Sequence, residues 1–177
     1  MKGIRDMIKK TNWPARFHPA VSSLYALNDI DVKAPLEVVW NLLIDAHNWS
    51  KYYPHANDVE ITTGDSVLSP GARFTWTTAG FSLVSVVQDF VPGERLGWDT
   101  FFAEGHDGAS AYHGWVITPT DDGCHLLTEE TQQGAFLVEE LAIKNPGTLH
   151  NMHQEWVENL ARAAEAKVAT NLVNQTR

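Results

Sequence analysis

Asp31-Val32-Lys33-Ala34-Pro35-Leu36-Glu37-Val38-Val39-Trp40 is the stretch on which the reading of this chain turns. Upstream of it, Leu24, Ala26, Asn28, Ile30 and Val32 recur at every second position, the loose alternation of a strand. Pro35 closes that strand, because it disfavours helical backbone in the residue before it yet suits the first turn of a helix that follows. Leu36, Val39, Trp40 and Leu43 then recur at three- and four-residue spacing, which predicts a short helix with one apolar stripe. Trp49, Tyr52 and Tyr53 fall on a second short helical piece that Pro54 stops.

Beyond Pro54 the pattern changes to a meander. Val59 to Thr63, Ala72 to Thr78, Phe81 to Val91 and Arg95 to Phe102 end respectively at Gly64–Asp65, Ala79–Gly80, Pro92–Gly93 and a loop over 104–108. Ala109 to Thr118 and His125 to Gln132 flank the turn Pro119–Thr120–Asp121–Asp122–Gly123. One long amphipathic helix, Asn145 to Val168, closes the chain. This order predicts an α+β domain: a curved antiparallel sheet of six or seven strands wrapped around a long C-terminal helix, with two short helices after the first strand. A single helix cannot fill the space such a sheet encloses, so a ligand-sized pocket is expected. The expected organisation is an N-terminal arm over 1–22, broken by Trp13–Pro14 and His18–Pro19, one domain over 23–172, and a tail over 173–177.

Composition narrows the classes. The chain has 177 residues, 44% hydrophobic and 20% charged, the size of one ordinary domain. A formal net charge of −9 without any run of Lys or Arg lacks the footprint that nucleic acid requires. The single cysteine, Cys124, excludes an internal disulfide framework. Met1 to Lys10 matches neither a secretory leader nor a membrane span, and a cytoplasmic location is expected. There is no G-x-S-x-G elbow, Gly-rich phosphate loop or H-E-x-x-H, which disfavours covalent serine and nucleotide chemistry. His150 and His153 stand three apart on the last helix, but no carboxylate shares their face except by a stretch to Glu155 or Glu158 and there is no cysteine pair; neither a metal nor another cofactor is expected.

The residues resemble the START-like, or SRPBCC, superfamily, the helix-grip group that includes Bet v 1-like binding proteins and polyketide cyclases/dehydratases. The resemblance rests on Asp31 to Trp40, on Asn48-Trp49-Ser50-Lys51-Tyr52-Tyr53-Pro54, on the strand pair His113 to Pro119 and Leu126 to Glu130, and on His153 to Leu160; it spans about residues 24 to 170. It implies a helix-grip fold with an internal cavity. Members include cyclases, hydrolase-like enzymes, lipid carriers, stress-response binders and toxin–antitoxin partners, so the resemblance leaves the reaction open.

The chemistry must come from the residues that face inward. Ala111, His113, Trp115 and Ile117 share one face of their strand, and His125, Leu127, Glu129 and Thr131 share one face of the next. If Ile117 pairs with His125, His113 lies opposite Glu129, an imidazole beside a carboxylate in an apolar interior: a candidate acid–base pair, or a polar contact that only fixes register. A slip of one residue pairs His113 with Glu130 instead. On the closing helix Leu149, Met152, His153, Trp156 and Leu160 form the stripe that faces the sheet. With seven tryptophans in the chain, most aromatics must be core, and Trp76, Trp98, Tyr112, Trp115, Met152, His153 and Trp156 are the candidate ligand contacts. The segment Gly134 to Gly147 is read as a flap over the mouth, either a lid or an ordered connector.

Three readings compete: a binder of a hydrophobic or aromatic small molecule; a cyclase/dehydratase-type enzyme using His113 and Glu129 on a polyketide-like carbonyl compound; and an interaction module whose mouth, flanked by Trp49, Tyr52 and Tyr53, receives another chain. The sequence decides neither whether the protein is an enzyme nor whether it forms a homodimer.

Overall fold

The computed structural model describes residues 10–103, 105–106 and 108–175. Seven strands form one antiparallel sheet: β1 (Leu24–Val32), β2 (Asn57–Ile61), β3 (Arg73–Thr78), β4 (Phe81–Val91), β5 (Arg95–Phe102), β6 (Ser110–Thr120) and β7 (Gly123–Gln133), in the spatial order β1-β7-β6-β5-β4-β3-β2. Between β1 and β2 lie α1 (Leu36–Ile44) and a 3₁₀ turn, Ala46–Lys51; after β7 come α2 (Ala135–Val138), a π-helical turn (Glu139–Lys144) and α3 (Thr148–Gln175). This is the helix-grip arrangement expected from the order of segments. The closing helix begins at Thr148, because Gly147, at φ 86°, ends the connector, and it continues through Gln175 into the stretch read as a tail. Among the described residues, no helix is long and apolar enough to cross a membrane.

The inner face of the sheet, the inward face of α3 and the two short helices enclose the core. Tryptophan dominates it. Trp49, Trp98, Trp115 and Trp156 are all fully buried, Trp49 and Trp98 stack with ring centroids 5.5 Å apart, and Trp156 meets Trp49 edge-on at 5.2 Å and Trp115 at 5.1 Å. The indole of Trp49 donates to the carbonyl of Leu43 at 2.8 Å, which ties the 3₁₀ turn to α1. Trp49 and Tyr53 were expected at an exposed mouth. They are 0% and 2% exposed, because the 3₁₀ turn packs inward over the core.

β6 is buried along both faces. Its outer face is covered by the arm. The Thr11 hydroxyl donates to Glu129, Thr131 donates to the carbonyl of Phe17 at 2.8 Å, and the rings of Trp13 and Phe17 lie 5.6 Å and 5.8 Å from Tyr112. Residues 1–9, part of the expected arm, lie outside the described residues. Tyr112 in turn lies across Gly97 on β5, so closely that a Cβ there would overlap the phenol oxygen. Because Trp13, Phe17 and the Asn12 carbonyl hold that phenol in place, Gly97→Ala should cost about 1–3 kcal/mol by overpacking, read as a lower urea midpoint. An unchanged midpoint would mean that the arm yields freely.

Candidate functional site

The register of the β6–β7 hairpin decides the site. The strands are joined by a two-residue turn, Asp121–Asp122, with Thr120 opposite Gly123; this pairs Ile117 with Leu126, Trp115 with Thr128 and His113 with Glu130. The alignment that places His113 opposite Glu129 is therefore corrected by one residue. A one-residue slip moves the whole strand to its other face. The inward set on β7 is Cys124, Leu126, Thr128, Glu130 and Gln132, whereas Glu129 points outward to Thr11 and to the Tyr25 hydroxyl, 2.6 Å away. Glu129 has no part in the interior. Its neighbour Glu130 is 2% exposed.

Three ionisable side chains from three elements converge there. His113 Nε2 (β6) is 3.2 Å from Glu130 Oε2 (β7), and His153 Nε2 (α3) closes on the same oxygen from the helix side. Gln132 donates to the other carboxylate oxygen at 2.7 Å. Both rings are 4% exposed. The His113 ring lies parallel to Trp98, with centroids 5.1 Å apart, which fixes its orientation. Burial pushes His113 down to about 4, against the attraction of Glu130. Burial alone would raise Glu130, but the two imidazoles and the Gln132 amide outweigh it and hold the carboxyl at about 2. At neutral pH the cluster thus contains an ionised carboxylate beside a neutral His113 ring. Tyr53, stacked on Trp156 at 4.3 Å, has its phenol pushed up by burial and by the nearby Glu130 charge.

The cluster forms the polar wall of a cavity of about 110 Å³. Its other walls are mostly apolar, with Trp76, Leu83 and Phe102 from the sheet, Phe136, Leu137 and Leu141 from the connector, and Leu149, Met152 and Trp156 from α3; Thr78, Thr100 and Glu140 add polar groups. Of the candidate ligand contacts, Trp76, Met152, His153 and Trp156 line this cavity, as does His113. Trp98 and Trp115 do not; both are fully buried, Trp98 stacked on Trp49 and Trp115 edge-on to Trp156. Tyr112 lies on the opposite face of β6, under the arm. Glu130, which the sequence offered only as the partner of His113 in the slipped register, is the carboxylate that faces inward. Counting back from a two-residue hairpin turn would have found it, because such turns are the commonest connection between antiparallel strands. Sequence reasoning missed the buried pair Ser85 and Thr100, 2.8 Å apart, which receives the Trp76 indole N–H and so holds that ring against the cavity. Cys124 is buried in β7 with its thiol pushed up to about 11, the state of an unreactive strand residue.

Fold and site define a helix-grip domain with a small, mostly apolar interior cavity. Residues 28–173 match the model of the polyketide cyclase/dehydrase and lipid transport family, and the chain belongs to that family. A search of the curated proteins found no match. Among solved structures, the chain is similar to the hypothetical protein jhp0584 from Helicobacter pylori, at 26% identity and a TM-score of 0.81, covering 89% of this chain and 97% of that one. It is also similar in fold to TTHA0849 from Thermus thermophilus, at 18% identity and a TM-score of 0.58, with 81% and 99% covered. The di-domain ARO/CYC StfQ from the steffimycin biosynthetic pathway matches at 14% identity and a TM-score of 0.67, over 82% of this chain and 52% of StfQ.

Proposed function

We propose that the protein binds a compact, largely apolar molecule in this cavity, with a hydrogen-bonding group of the ligand turned toward Glu130, His113 and His153. The observation that carries the reading is the contrast within one enclosure: apolar side chains from the sheet, the connector and α3 face three buried ionisable ones. Family membership supports it, because the family's description names both small-molecule cyclisation and lipid transport. The volume sets the size of the guest. At about 110 Å³ the cavity is smaller than the roughly 150 Å³ apolar cavity that takes up benzene, so a single small ring or short chain fits and a polycycle does not. Trp98 and Trp115 occupy the room that a larger ligand would need.

The test is quenching of tryptophan fluorescence by one-ring and two-ring phenols, alongside native mass spectrometry of freshly purified protein for a co-purified compound. Phenol should quench and 2-naphthol should not. Met152→Trp should abolish the phenol response by filling the cavity, with the melting temperature little changed. Equal responses of the wild type and Met152→Trp to both probes would remove the cavity as the binding site.

A second reading is favoured by one feature, the carboxylate shared between two imidazoles: proton transfer on a small carbonyl compound. Exchange of the α-protons of cyclohexanone with D₂O, followed by NMR, provides the check. If the cluster moves the proton, the protein accelerates exchange and Glu130→Gln, which breaks the cluster, lowers that rate by about 10²–10⁴-fold. Exchange no faster than in buffer would leave binding alone.

A further inference from the structure

His113, Glu130 and His153 are separated by 17 and 23 positions in the chain, and only the hairpin register and the facing of α3 bring them together. The two imidazole nitrogens and one carboxylate oxygen all lie within 4.8 Å of one another. An ion bonded tetrahedrally at 2.0–2.2 Å sets its donor atoms roughly 3.3 Å apart; the His113–Glu130 separation is 3.2 Å, whereas His153 and Glu130 stand closer and must part as an ion enters between them. Two imidazoles bound through Nε2 to one such ion place their ring centroids about 5–6 Å apart. Those of His113 and His153 are 5.7 Å apart.

We propose that His113, Glu130 and His153 form a binding site for one divalent first-row transition ion, of the zinc or iron(II) kind, open on its fourth side to the cavity. Two imidazoles and a carboxylate without a thiolate are the donors such ions take, whereas calcium and magnesium prefer sites built from oxygen alone. Glu130 is 2% exposed, and among the described residues no Lys or Arg lines the cavity, so no ammonium or guanidinium of the chain competes with an ion for its carboxylate. Gln132 orients the carboxylate by bonding its second oxygen, the outer-shell role that steadies a metal ligand. The Nδ1 atoms of both rings have no hydrogen-bond partner among the described residues. Each missing outer-shell partner weakens metal binding by about 10–100-fold, so the site is weaker than one with both rings anchored.

The proposal goes beyond the small-molecule reading and is tested without any organic ligand. The full chain, stripped with EDTA and desalted, is titrated with Co²⁺ as a spectroscopic probe and separately with Zn²⁺, anaerobic Fe²⁺, Mn²⁺ and Mg²⁺, and retained metal is measured by mass spectrometry. Expected are one Co²⁺ per chain with a ligand-field band in the visible, retention of Zn²⁺ or Fe²⁺, and none of Mg²⁺. Glu130→Gln and His153→Ala should weaken Co²⁺ binding by more than roughly 100-fold, beyond what loss of an outer-shell partner costs. His150→Ala, on the same helix but outside the cluster, should bind as the wild type does. If a cluster variant fails to fold, the wild type still decides, because an ion bound only by the folded chain must raise its melting temperature. Trace uptake of every ion with no thermal shift, or equal uptake by Glu130→Gln and His153→Ala, overturns the proposal. Either result leaves phenol binding by the wild type, and its loss in Met152→Trp, as they were.

Discussion

Trp156→Ala should lower the stability of the folded chain by about 3–5 kcal/mol, the cost of removing a large aromatic from a packed core. Trp156 is 1% exposed and joins the aromatic core to the cavity. It stacks on Tyr53 at 4.3 Å with an interplanar angle of 8°, touches Trp49 and Trp115 edge-on, and forms part of the cavity wall. For a chain of this length each kcal/mol moves the melting temperature by about 2–4 °C, so a fall of roughly 10 °C is expected by calorimetry. A second effect follows from the same side chain. Removing the indole merges its volume with the existing cavity, so the variant should admit the two-ring phenol that the wild type excludes. A loss of less than about 1 kcal/mol would mean that the neighbouring aromatics collapse into the space, and the two-ring probe would then remain excluded.

That one helix residue can control both stability and ligand size reflects how the grip is filled. Sequence order alone showed the architecture, because Ala34–Pro35, the Gly-containing turns and the final helical period each mark a boundary that the backbone must respect. It also suggested an empty interior, since strand count and helix length say nothing about side-chain volume. Tryptophan decides the matter: Trp49, which looked like a rim residue beside Tyr52 and Pro54, turns inward and occupies space that would otherwise be cavity. The site was legible in part. His113, His153, Met152 and Trp156 follow from period-two and period-three-to-four spacing, and Trp76 from the excess of aromatics over what a surface can carry. Glu130 does not, because Thr128-Glu129-Glu130-Thr131 is polar at every position and carries no apolar contrast to mark the buried face. Only the turn length distinguishes Glu129 from Glu130. Tyr112 escaped for another reason: period two separates the two faces of β6, but it cannot tell that an arm more than ninety residues upstream covers the outer one.

Acid should weaken this fold well before general protonation of surface carboxylates does, and the cluster states where. His113 has an ordinary value of 6.5 and is held at about 4 in the folded chain. The unfolded state therefore binds a proton that the folded state refuses, and stability present above pH 6.5 is lost as the pH falls toward about 4. Glu130, ordinarily 4.5 and held at about 2, acts with the same sign over a lower interval. The full depression of His113 corresponds to about 3 kcal/mol, a sizeable share of the 5–15 kcal/mol that holds an ordinary domain together. The two losses do not simply add, because the His113–Glu130 attraction is one interaction counted from either side. The groups that face His113 are Glu130 and Gln132 from β7, His153 from α3, Trp76 from β3 and Trp98 from β5, with Tyr53 on the opposite wall; Glu130 favours the protonated ring, and burial and His153 oppose it. Urea unfolding at a series of pH values, with EDTA present so that only protons titrate the cluster, should show the midpoint falling between pH 6.5 and about 4. His113→Gln removes the titrating ring and keeps a hydrogen-bonding side chain, so its midpoint should stay level over that interval and fall only in the lower one that Glu130 governs. A wild-type midpoint level down to about pH 4, or an equal slope in His113→Gln, would place the acid sensitivity outside the buried cluster and remove the reason for treating its imidazole as neutral.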